Sequence, residues 1–168
     1  MISFCRTQTD EWIYKGKDSI EEWIHKEVMH FKRPVFFTGH YKNQILKNHL
    51  HKDELCFRNN RSFFKNLHKK VYVRSKTKLR RFVYLEKQNR VHTHMVLETP
   101  QHISVDRFCK FIELSWKETS GGIDPDTKII YDTESLSGYA WKTKDLEKFC
   151  VDIENCKLQS SIFKSVSA

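Results

Sequence analysis

Residues 91–98, "VHTHMVLE", alternate in character from one position to the next. In a strand, His92, His94, Val96 and Glu98 would share one side, and Val91, Thr93, Met95 and Leu97 the other. The preceding "LRRFVYLE" (79–86) has the same strand character, and the short polar "KQNR" between them predicts an antiparallel hairpin. An odd turn, such as Gln88–Asn89–Arg90, sets Glu86 opposite His92 and Tyr84 opposite His94. It also sends Val83 and Leu85 to the side of Val91, Met95 and Leu97. A two-residue turn would put Glu86 on the wrong face. Two requirements therefore agree on the odd turn.

Elsewhere the apolar spacing changes to that of helices. Ile20, Trp23, Ile24, Val28 and Phe31 form one stripe, and Ser19 with Glu22 fits a capping box, predicting a helix over 19–31. Pro34 ends it, and "VFFTGHY" (35–41) reads as a strand. "NRSFFKNLHKKV" (60–71) reads as a basic amphipathic helix. Phe64, Leu67 and Val71 face inward, and Arg61, Lys65, Lys69 and Lys70 outward. Ser104 caps a further helix through Val105, Phe108, Cys109, Ile112 and Trp116. "SGGIDPDT" (120–127) reads as a loop, "KIIYD" (128–132) as a short strand, and 134–150 as one or two helices. Antiparallel strands with helices between others predict an α+β fold: a central antiparallel sheet flanked by helices.

No repeat, low-complexity tract or Pro/Gly/Ser-rich linker divides the 168 residues, so one domain is expected. Within it, a helical extension covers about 1–33, a core about 34–150, and a short tail follows. Lys and Arg number 30 against 21 Asp and Glu, a net charge of +9. Such an excess favours a polyanionic partner, because basic side chains displace counterions from phosphates. The five cysteines are scattered without a C-x-x-C pair, which predicts free thiols in a reducing, cytoplasmic setting. The polar opening "MISFCRTQTDEW" predicts no secretory leader, and no run reaches the ~18 apolar residues of a membrane span.

Two imidazoles on one strand face can chelate one divalent ion if a neighbouring strand adds a third ligand. Glu86 is the best placed, with Glu98 and Gln88 as fallbacks. The bland alternative is a pair of solvated histidines. That alternative suits "NHLH" (48–51), a polar stretch without a strand partner. The second chemical element is "SGYAWKTKDLEK" (137–148), where Tyr139 and Lys142 share a face if the segment is helical. Phe82 and Tyr84 lie on the histidine side and are candidates to stack on bases.

In order, a strand ending in Thr ("FFT", 36–38), an E…H-x-H hairpin and a Y-x-x-K segment resemble the HUH endonucleases. Within that superfamily the chain resembles the single-tyrosine rolling-circle replication initiators of small phages, plasmids and single-stranded DNA viruses. The resemblance covers roughly 35–145. It implies a sheet of ferredoxin-like, RRM-related type with an open face for single-stranded DNA. It makes Glu86, His92 and His94 ligands of Mn²⁺ or Mg²⁺, Tyr139 the nucleophile and Lys142 its helper. Lys144, on the same segment, is a second candidate helper and DNA contact, beside Arg61, Lys65, Lys69 and Lys70. The implied activity is nicking that leaves a 5′-phosphotyrosine and a free 3′-OH. With no G-x-x-x-x-G-K-[ST] in the chain, a host helicase and polymerase would supply the rest. Thr93 departs from the family, which usually places a bulky apolar residue between the histidines. A mobilisation relaxase, a small transposase, or a non-catalytic basic nucleic-acid-binding domain are the alternatives.

Overall fold

The alternating segments pair as strands, and their apolar sides are covered by two long amphipathic helices. The computed structural model describes residues 28, 30–47, 50–72, 77–87, 90–131 and 149–158. In chain order these form β1 (Pro34–Tyr41), α1 (Asn43–Leu46), α2 (Lys52–Val71), β2 (Arg81–Glu86), β3 (His92–Glu98), α3 (Val105–Lys117), β4 (Gly122–Ile129) and β5 (Phe149–Val151). The strands make one five-stranded sheet in the order β4-β1-β3-β2-β5, with every pairing antiparallel. The described residues form one α+β unit, the fold class that the pattern predicts. No described helix is long and apolar enough to cross a membrane.

One sheet face carries Val35, Phe37, Val83, Leu85, Met95 and Leu97, all fully buried. Helices α2 and α3 pack there. Phe37 stacks on Phe63 of α2 with ring centroids 5.5 Å apart, and meets the edge of Trp116 of α3 at 5.3 Å. Buried aromatic side chains of this size dominate core energetics, and such offset and edge contacts add to it. Helix α3 begins where the Ser104 side chain accepts a hydrogen bond from the Arg107 N–H, the expected cap. Helix α2 is longer than its apolar stripe suggests and starts at Lys52. Asp53 and Glu54 stand in its first turn, where acidic groups favour a helix start.

The expectations for 120–132 are corrected. Gly122–Ile129 is strand β4, not a loop, and it ends before Tyr131. Its Pro125 disguises it, since Pro cannot donate to a ladder and reads as a breaker. But β4 is the sheet's edge, where a missing N–H can go unpaired. The β1–β4 register shifts between Thr38 and His40, so that β4 carries one extra residue. Two glycines allow this region to close. A Cβ on Gly39 would sit 2.6 Å from the Trp116 ring, and one on Gly122 would sit 2.6 Å from the Trp116 carbonyl oxygen. Trp116 also donates its indole N–H to the Ile123 carbonyl, tying α3 to β4.

The predicted helix at 19–31 lies almost wholly outside the described residues. Of it, Val28 and Phe31 are buried in the core. Of the expected helices at 134–150, residues 134–148 lie outside the described residues, and Phe149 and Cys150 belong instead to strand β5 beside β2. Residues 152–157 then fold onto the core. Lys157 exchanges backbone hydrogen bonds with Arg81, and Asp152, Asn155 and Cys156 are buried.

Candidate metal centre

The hairpin register brings three potential metal ligands together. β2 pairs with β3 so that Glu86 faces His92 and Tyr84 faces His94, as the odd connection requires. The Glu86 carboxylate oxygen Oε2 lies 3.0 Å from His94 Nε2 and 3.5 Å from His92 Nε2. One ligand atom from each of the three falls within 4.8 Å of the others, the only such described group of three His, Cys, Asp or Glu. Their side chains are 22%, 12% and 17% exposed for Glu86, His94 and His92, so the cluster is held by protein yet reachable from solvent.

The remaining ring nitrogens decide how ready the imidazoles are. His92 Nδ1 lies 2.7 Å from the Arg90 carbonyl oxygen, which can only accept. Nδ1 therefore carries the proton and Nε2 offers its lone pair to the cluster. His94 Nδ1 lies 3.1 Å from the Thr38 hydroxyl, which accepts or donates according to tautomer. Burial pulls the His94 pKa down to about 4, His92 adds to that, and Glu86 opposes it. His94 is thus neutral near pH 7, the state that binds metal. Two imidazoles and one carboxylate converging this closely, with one side open, fit a divalent ion.

Thr93, between the two ligands, has a defined place. It is fully buried on the helix side of β3, donates to the Tyr84 carbonyl at 3.2 Å and receives the Asn60 amide at 3.5 Å. Asn60, from α2, also accepts from the Tyr41 hydroxyl and donates to the Asp152 carboxylate. Asn155 donates to Asp152 as well, at 2.7 Å. An apolar residue at 93 would leave the Asn60 amide one partner short; threonine satisfies it. Burial raises the Asp152 pKa to about 6, against the hydrogen bonds from Asn60 and Asn155.

Other candidates fall elsewhere. Glu98 is on the same face, but it pairs with Arg80 at 3.1 Å and accepts the Lys32 N–H, so it serves the far end of the strand. Phe82 and Tyr84 are on the histidine side but buried, which overturns their expected role in stacking on bases. Tyr84 instead packs against His94 with ring centroids 5.0 Å apart. Lys65 and Lys69 are exposed on α2. Arg61 is bound to Glu154 and Lys70 to Glu118. Helix α2 lies behind the sheet, on the face opposite the imidazoles. Gln88, Tyr139, Lys142 and Lys144 lie outside the described residues.

Sequence reasoning passed over Thr38 as a hydrogen-bond partner of His94, and passed over His40 altogether. Both stand on β1 at alternate positions, so the period of two that grouped His92 with His94 also groups them. Comparisons with protein-family models, with curated proteins and with solved structures find no match to this chain.

Proposed function

We propose that this chain is a metal-dependent endonuclease that nicks and rejoins single-stranded DNA by tyrosine attack, of the kind that initiates rolling-circle replication. The carrying observation is the convergence of Glu86, His92 and His94 from adjacent strands on one accessible point. A bound Mn²⁺ or Mg²⁺ there would supply positive charge at the scissile phosphate, whose own oxygens repel a nucleophile.

The protein's part is to present a phenol. Tyr139 forms the new P–O bond, the bond to the 3′-oxygen breaks, and the phenolic proton leaves as that oxygen gains one. An ordinary tyrosine is ~0.1% ionised at pH 7, a cost of ~4 kcal/mol. Lys142, three residues on, is the candidate to offset it, with Lys144 as the alternative. The other tyrosines among the described residues favour this choice. Tyr41 and Tyr84 are buried, and burial raises both phenol pKa values. Tyr131 is 92% exposed, but it lies five residues beyond Asp126, the partner of Thr38 beside His94. The strand carries the chain away from His94 for three of those residues, to Ile129, which alone is about 10 Å. Tyr72 ends α2, behind the sheet.

The test is incubation with Mn²⁺ and single-stranded oligonucleotides, followed by denaturing electrophoresis for a covalent adduct. Tyr139→Phe removes one oxygen, so binding should persist while adduct and nicking vanish. No adduct with any oligonucleotide, with DNA still bound, would reassign the chain to non-catalytic binding. Strand-transfer products at transposon ends would instead mark a transposase with the same chemistry.

A further inference from the structure

A third imidazole stands beside the centre. His40 on β1 is the register partner of His92 on β3, which in turn faces Glu86 on β2, so one row of side chains crosses three strands. The His40 and His92 rings are 5.5 Å apart. His40 is partly exposed, and its nitrogens are not among the atoms that converge within 4.8 Å. It is a neighbour of the ligand set rather than a member.

Several backbone features act on this one side chain. The extra residue in β4 falls opposite the Thr38–His40 step, and bulges of this kind re-aim side chains. Within it, Asp124 has a φ of +43°, the one positive value at a described non-glycine residue. That conformation is disfavoured for a residue with a side chain and persists only where its surroundings enforce it. Trp116 supplies the enforcement, packing into the space over Gly39 and holding the Ile123 carbonyl. The Asp124 carbonyl so placed lies 3.2 Å from His40 Nδ1. A carbonyl only accepts, so Nδ1 carries the proton and Nε2 is left as a bare acceptor.

Resting on the metal-centre reading above, we infer that His40 is a positioning residue of that centre. Its Nε2 accepts a hydrogen bond from a hydroxyl group seated on the open side: water without DNA, and the freed 3′-hydroxyl after nicking. The imidazole thereby orients the group that must return to the phosphotyrosine when the strand is rejoined.

Isosteric variants separate this role from a purely structural one. Gln places an acceptor near the position of Nε2 but loses the tie to Asp124, whereas Asn keeps a donor near Nδ1 and offers nothing at Nε2. Mn²⁺ affinity, read without DNA from the electron paramagnetic resonance of the free ion, should fall about tenfold in His40→Asn and in His40→Phe, the scale of outer-shell losses. His40→Gln should stay within about threefold of the unaltered chain by the same measure. Melting curves on each variant check the fold. If Asn or Phe binds as tightly as the unaltered chain while His94→Ala loses the ion, the inference fails and the centre stands. If Asn retains affinity and Gln loses it, the Asp124 tie alone matters, and the inference also fails. If the unaltered chain binds no Mn²⁺, both readings fall.

Discussion

His92 and His94 sit two residues apart but reach their metal-binding states by different routes. The Arg90 carbonyl holds His92 in one tautomer, whereas burial keeps His94 neutral and Thr38 fits either tautomer. Removing a ligand should therefore cost more than removing an outer-shell group, which typically costs ~10–100-fold. His94→Ala and Glu86→Gln are each expected to lose Mn²⁺ affinity beyond that range, measured by calorimetric titration. Glu86→Gln is the more informative, because it keeps shape and removes only charge. Tyr131→Phe should form the adduct as the unaltered chain does, because Tyr131 lies past the end of β4 that leads away from His94. An adduct lost in that variant and kept in Tyr139→Phe would exchange the two roles. The three candidate ligands were readable from the pattern because strand alternation and an odd connection are local facts. Thr38 and His40 were not, since their relation to the histidines exists only once β1 pairs with β3.

Among the elements, β4 and the segment after β5 show how tertiary contacts overrule local signals. "GIDPDT" has every mark of a loop, yet Trp116 and the edge position make it a strand. Gly39→Ala would press a methyl into the Trp116 and Phe37 rings, at 2.6 and 2.8 Å. It should destabilise the fold by ~1–3 kcal/mol, the usual cost of overpacking, seen as a lowered unfolding midpoint in urea. Asp152 couples α2, β3 and the C-terminal turn through Asn60 and Asn155. Its folded pKa of about 6 lies above the ordinary carboxylate value of 3.8. The folded state therefore holds a proton that the unfolded state releases. Stability falls as pH rises from about 4 to 6 and is level above, by up to about 3 kcal/mol. In urea titrations across that range, Asp152→Asn should remove this slope, so that unaltered protein loses stability relative to the variant as pH rises. A pH-independent difference between the two would contradict it.

For the whole molecule, the question is where an excess of nine positive charges acts. The basic helix does not present four free cations, because Arg61 and Lys70 are engaged with Glu154 and Glu118. Reversing those two would disturb ion pairs as well as DNA binding. Lys65 and Lys69 are the cleaner pair to change. Replacing both by Ala should flatten the salt dependence of single-strand affinity by about 1.4 in log–log slope, at about 0.7 per phosphate contact. Because α2 lies behind the sheet, nicking at saturating DNA should be unchanged. An unaltered slope would place the DNA path elsewhere. The sequence alone determined the α+β class, the hairpin register and the identity of Glu86, His92 and His94 as a group, because each depends on spacing between near neighbours. Only the tertiary structure decided that β4 is a strand, that Tyr84 and Phe82 are closed to bases, and that Thr93 is held by Asn60. It also set a third histidine beside the other two. Those outcomes depend on which distant segments pair, and pairing is settled by packing across the sheet rather than by any short run of residues.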